Sequence, residues 1–204
     1  DIWRELRPSR CVQSSGDNVE WSVVFDAGAT DLLKGDLVAL YGTNFRTAKF
    51  QMDSATTFSP VLVDIPLDAT QYTGTVGASN RGVAYVGPTV SPKWRAGQWR
   101  SDNDAHRFFI EVTIVATVYV YEITDNDEDR IYCAGTDLST ASGTFYIFGD
   151  RMAATFTYAA YRYLRVSVGA LQTADNYFQL GTLIVGKSFT PSRRYTEDFI
   201  DRIE

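Results

Sequence analysis

Apolar and polar positions alternate with a period of two along most of this chain, the spacing of strands that bury one face. "EWSVVFD" sets Trp21, Val23 and Phe25 on one side and Ser22 and Val24 on the other. "DLVALYG" and "FRTAKFQM" flank the turn-rich "GTN", which suits a tight connection. "SPVLVDI" follows, bounded by Pro60 and Pro66. The longest such stretch is "HRFFIEVTIVATVYVYEI". It predicts one bent strand or two joined by a bulge, with Val112, Ile114, Ala116, Val118 and Val120 on one face. "GTFYIFG", "YRYLRVSV" and "YFQLGTLIVG" complete the set.

The last two strands carry the clearest faces. In "YRYLRVSV", Leu164, Val166 and Val168 form an aliphatic, core-directed side, and Tyr163, Arg165 and Ser167 form the other. In "YFQLGTLIVG", Gly181 interrupts the alternation, which predicts a bulge or a close approach of another backbone. Their matched lengths and short separation predict antiparallel neighbours that close the fold.

Helical spacing with a cap is missing, except at the end, where Tyr195, Phe199 and Ile203 in "YTEDFIDRIE" fall at four-residue steps. Eight to ten strands with turns between them predict an all-β protein, a two-layer antiparallel β-sandwich of jelly-roll type. One domain is expected over 1–190, with an N-terminal lead-in, followed by an arm or short helix over 191–204.

At 204 residues the chain can bury a core without metal or disulfide staples, and 45% hydrophobic residues make it globular. A net charge of −6 supplies no basic footprint, so nucleic acid is not an expected partner. Only four residues are lysine (Lys34, Lys49, Lys93 and Lys187); the Arg excess suits fixed ion pairs and protein interfaces, or reflects genome base composition. Cys11 and Cys133 lie far apart without metal-ligand spacing, so they read as buried thiols or as one long-range disulfide. The run "VTIVATVYVYEI" is too short and too rich in Thr and Tyr to cross a bilayer as a helix. Membrane insertion is therefore not expected. The opening residues do not read as a secretion leader, and a start at Asp1 places the expected start of translation upstream.

Catalytic chemistry has little to work with. His106, the sole histidine, stands in "SDNDAHRFF" near Asp102 and Asp104, and any Ser–His–Asp triad must use it. No Gly-x-Ser-x-Gly elbow, dinucleotide fingerprint or Walker A loop accompanies it. A satisfied or solvent-facing histidine is the expectation, and no enzyme activity is expected. A glycosidase needs two facing carboxylates, and 25 acidic residues give many accidental pairs. "TDNDEDR" sets Asp125, Asp127 and Asp129 at alternate positions, as some calcium loops do. An EF-hand would need Gly at Arg130 and Glu at Thr136, so the sequence leaves two choices: a structural calcium loop or a solvated turn. No other cofactor is indicated.

"SPKWRAGQWRSDND" is the most suggestive loop. Trp94 and Trp99 lie five apart, followed directly by Arg95 and Arg100. Exposed, these side chains stack on sugar rings or anchor an interface; folded inward, the indoles plug one end of the sandwich. Trp3 raises the same choice.

"FDAG" followed by "DLVALYGTNFRTAKFQM", and later "YRYLRVSV" with "NYFQLGTLIVG", resembles the galactose-binding or discoidin-like jelly roll. The matching corners are Asp26 to Gly28 and Gly42 to Asn44, and the matching strand core is Arg162 to Arg165. The closing strands with the Pro-Ser-Arg exit resemble, more specifically, structural proteins of tailed-phage virions, near the tail tip, baseplate or fibre attachments. The likeness covers about 20–52 and 155–195. It implies scaffolding that docks one virion component onto another. It also implies glycan or lipid binding by end loops, in some members with a structural calcium ion.

Together these readings predict a virion protein that docks other virion proteins, with Arg193, Arg194, Tyr195 and Phe199 as arm contacts. The alternative is a carbohydrate-binding module in which Trp94, Arg95, Trp99 and Arg100 meet a host-surface glycan.

Overall fold

A computed structural model describes residues 21–76, 94–102, 106–133, 138, 140–169 and 178–188, and the backbone of 3–6. Cys11, Asp104, Arg193, Arg194, Tyr195 and Phe199, the side chain of Trp3 and the expected arm over 191–204 lie outside the described residues.

The described chain is all β and antiparallel. Its strands are β1 (Trp3–Leu6), β2 (Trp21–Asp26), β3 (Leu33–Tyr41), β4 (Thr47–Asp53), β5 (Val63–Asp68), β6 (Thr70–Thr75) and β7 (Phe108–Ile114). They continue with β8 (Thr117–Asn126), β9 (Ile131–Cys133), β10 (Ala141–Gly149), β11 (Arg151–Tyr161), β12 (Tyr163–Val168) and β13 (Thr182–Gly186). Two four-stranded sheets, β1-β13-β3-β11 and β2-β12-β4-β5, make the sandwich. A third sheet, β6-β10-β7-β8-β9, stands beside it as a layer that the two-layer expectation lacks.

The sandwich core follows from the period-two pattern. Leu40, Met152, Leu183 and Val185 from one sheet meet Phe50, Met52, Leu164 and Val166 from the other, all buried. Leu164, Val166 and Val168 point inward as their alternation dictates. Arg165, on the opposite face, donates to Gln51 Oε1 at 2.7 Å and lies over the Phe58 ring. The expected pairing of the last two strands is corrected: β12 sits between β2 and β4, and β13 between β1 and β3, in different sheets. Gly181 meets the expectation of a close backbone approach. Its N–H donates to Tyr41 O at 3.0 Å, and a Cβ there would stand 3.1 Å from the same oxygen.

The long "HRFFIEVTIVATVYVYEI" stretch is neither one strand nor a bulged pair. It folds back at Val115–Ala116 into the β7–β8 hairpin, with Ile114 opposite Thr117. The reversal puts Val112 in one core and Val120 in another, so the expected common face is also corrected.

Each crossing between sandwich and third sheet is a short corner: Ala69 joins β5 to β6, and Asp150 joins β10 to β11. Backbone bonds stitch these corners together. Ala69 N–H donates to Arg46 O, Gly149 to Ala69 O, Thr43 to Asp150 O, and Asp150 to Arg107 O, at 2.9–3.3 Å. Arg46 reinforces them with two bonds to the buried Glu111, at 2.9 and 3.1 Å, under the Tyr146 ring.

Candidate functional site

The third sheet has two apolar faces. Phe109, Val120 and Phe148 turn toward the sandwich, while Ile110, Val112, Ile123, Phe145 and Ile147 turn away and need a cover of their own. The Trp loop supplies it. Trp94 and Trp99 are each 6% exposed and pack edge to face, 6.1 Å apart between centroids. Tyr72 meets Trp94 at 5.1 Å, and Phe108 meets Trp99 at 5.6 Å. Of the two readings of this loop, the structure has the indoles folded inward; Arg95 and Arg100 remain exposed.

Asn126 holds the loop down, and the sequence reading passed over it. Buried at 3% exposure, its Oδ1 accepts from Trp99 N–H at 2.7 Å, and its Nδ2 donates to Arg95 O and Asp127 O. Trp94 N–H donates to Glu128 O, and Gly97 N–H to Asn126 O. The indole loop and the acidic loop are therefore one unit, each the other's scaffold. The available signal was the single amide among the acids of "TDNDEDR". Both indole Nε1–H groups are buried, with no hydrogen-bond partner among the described residues.

The acidic loop is the β8–β9 turn. Asp125 accepts from Asn126 N–H, Asp127 accepts from Asp129 N–H and from the Tyr132 hydroxyl at 2.6 Å, and Asp129 lies 3.7 Å from Arg130. Burial pushes the Asp127 carboxyl up, but the donors around it outweigh that and hold it below its ordinary value. Among the described residues no group of three or more His, Cys, Asp or Glu gathers to hold a metal ion. Asp125 and Asp127, considered as calcium ligands from their spacing, accept hydrogen bonds from donors within the turn, and Asp129 pairs with Arg130. Cys133, on β9, carries a free thiol that burial pushes up to about 12.

A cleft of about 180 Å³ opens where the corners meet, lined by Gln71, His106, Arg107, Phe108, Asp150 and Arg151. Its ionic groups brace one another. Arg107 is held by Glu122 through two contacts and by Gln179 at 3.2 Å; Arg151 touches the His106 ring and lies 3.5 Å from Asp150. Burial raises the Asp150 carboxyl above its ordinary value. Asp102 reaches His106 through backbone bonds, as an isolated bridge. A Cβ at Gly149 would stand 2.6 Å from Gln71 Nε2, so the Gln71 side chain would have to move to admit one.

The surface that stands out is the tip of the β7–β8 hairpin. Val115 and Ala116 both take positive φ, 48° and 66°, the signature of a two-residue turn that favours Asn and Gly. A β-branched residue in that region is strained. Val115 is nevertheless 76% exposed, Val118 beside it is 41% exposed, and Tyr119 and Tyr121 stack at 5.9 Å on the opposite face. Among the described residues no helix is long and apolar enough to cross a membrane.

Comparison with family models, with curated proteins and with solved structures finds no match to this chain.

Proposed function

We propose that this chain is a non-enzymatic structural protein of a tailed-phage particle, docking neighbouring components at the tail tip, baseplate or fibre attachment. One observation carries the docking part: a strained hairpin tip that presents Val115 and Val118 to solvent. Backbone strain of about 1–3 kcal/mol with no core contact in return is what an interface element looks like before its partner arrives. The phage assignment is supported by the resemblance of the closing strands and corners. The glycan-binding alternative gains nothing from Trp94 and Trp99, because Tyr72, Phe108 and Phe145 occupy their rings.

The test is incorporation. Immunodetection on purified particles is expected to find the chain in fixed stoichiometry, and Val115→Glu, at an exposed tip outside both cores, is expected to exclude it. Complete particles that lack the chain would overturn the reading, as would full incorporation of the variant. Glycan-induced change in Trp emission would favour the alternative.

A further inference from the structure

Beside the same hairpin tip lies a backbone edge that no described strand covers. β7 pairs with β8 from Thr117 to Glu122, but β9 covers the far side of β8 only from Ile123 to Asn126. Along 117–122 that far side has no strand partner among the described residues. In an antiparallel ladder alternate residues spend both backbone groups on one neighbour, so the others present theirs to the open side. Thr117 flanks the two-residue turn and bonds to Ile114, which leaves Val118 and Val120 facing outward.

Three other edges, at β5, β6 and β2, carry interruptions that this one lacks. β5 ends a sheet with Pro66 in its middle and the exposed carboxylates Asp64 and Asp68 beside it. β6 ends the same third sheet with Gln71, Thr73 and Thr75 outward. The β2 edge carries one exposed aliphatic residue, Val24, and ends at the Asp26–Arg162 ion pair. The segment 117–121, "TVYVY", has no charge, proline or glycine, and consists of β-branched and aromatic residues alone. Glu122, the first charge reached, is already paired with Arg107.

We propose that this edge pairs with the same edge of a second copy of the chain, antiparallel about a two-fold axis through Tyr119. The segment is self-complementary in that register. Val118 of each copy falls opposite Val120 of the other, both with outward backbone groups, and Thr117 falls opposite Tyr121. No like charges meet across the axis. Val118, 41% exposed, lies on the same face as the buried Val120 and is covered by the partner's strand. The two third sheets become one continuous sheet, an isologous and closed arrangement. The inference rests on the reading of the β7–β8 hairpin as a docking element and names its partner.

Sedimentation equilibrium on the full chain, from about 1 to 100 μM, tests it. A monomer–dimer equilibrium is expected, weakened at least about tenfold by Val118→Lys and unchanged by Thr73→Lys on the β6 edge. Val118→Pro, at a position whose N–H faces outward, is expected to act like the lysine while far-UV circular dichroism stays that of the wild type. A monomer throughout the range, or a dimer indifferent to both Val118 variants, overturns the proposal. The two readings fail separately. A monomer that enters particles and is excluded by Val118→Lys keeps the docking role with a foreign strand as partner, and sinks the self-pairing. A Val118-dependent dimer that never enters particles keeps the self-pairing and sinks the virion role.

Discussion

In the sandwich the inner strands β3, β13, β4 and β12 are flanked on both sides, and their apolar faces meet each other across one shared core. In the third sheet, among the described residues, β8 is flanked for only part of its length, and the outer face is covered by a loop rather than by another sheet. The contrast lies in the cover, not in the polar accounting. Among the described residues the two indole N–H groups of the loop lack hydrogen-bond partners, but so do Asp53 Oδ2 on β4 and Thr43 Oγ1 beside the sandwich, each at a cost of about 1–3 kcal/mol.

The comparison breaks most sharply at the joint between the two regions. Glu111 lies on the third sheet, Arg46 in the corner of the sandwich, and their bidentate pair is largely out of water. Glu111→Ala leaves the guanidinium with Asp68 at 3.9 Å and the Tyr146 ring. A loss of about 3–5 kcal/mol is expected, read as a drop in the urea midpoint. If the two regions unfold together, fluorescence from the Trp loop and circular dichroism from the strands shift as one. Separate transitions would show that the third sheet melts alone.

A smaller effect sharpens the same comparison from within the third sheet. Asn126→Ala removes one acceptor and two donors that hold the Trp loop against the β8–β9 turn. About 2–3 kcal/mol is expected. Unlike the Glu111 change, it is expected to red-shift Trp emission in the folded state, because the indoles gain access to water. Unchanged emission would mean that packing against Tyr72 and Phe145 holds the loop without the amide.

The sandwich was legible in the sequence because its strands carry strong alternation. The segments read as "EWSVVFD", "FRTAKFQM" and "YRYLRVSV" became β2, β4 and β12, the last with Leu164, Val166 and Val168 inward as expected. The eleven-residue β11 was missed, since "RMAATFTYAAY" mixes alanine and threonine with little contrast between faces. The hairpin at Val115–Ala116 was invisible for a specific reason: neither residue belongs in a turn that needs positive φ twice. A local rule broken there concealed both the reversal and the existence of a second core. Trp94 and Trp99 were singled out, but their direction depended on a sheet face that the missed hairpin creates. Strand membership follows from local pattern, whereas which strands are neighbours does not, as β12 and β13 show.

The smallest expected effect belongs to the sandwich, and it is a matter of exposure. Arg162 grips Asp26 with two bonds of 2.7 and 2.8 Å, as good a geometry as the Arg46–Glu111 pair, but in open solvent. The Arg162 bond, then the Gly28 N–H, lower the Asp26 carboxyl from 3.8 to about 2. A carboxyl lowered on folding contributes stability above its unfolded value and loses it as pH falls through the folded one. The contribution of Asp26 is therefore present above pH 3.8 and fades toward pH 2. Urea midpoints of the wild type and Asp26→Asn are expected to differ slightly near neutral pH and to converge across that window. In about 1 M salt the difference is expected to shrink at every pH, because water and ions screen an exposed pair. Glu111→Ala is expected to keep its full deficit in the same salt. If salt erased both deficits equally, burial would not be what separates the joint of this molecule from its surface.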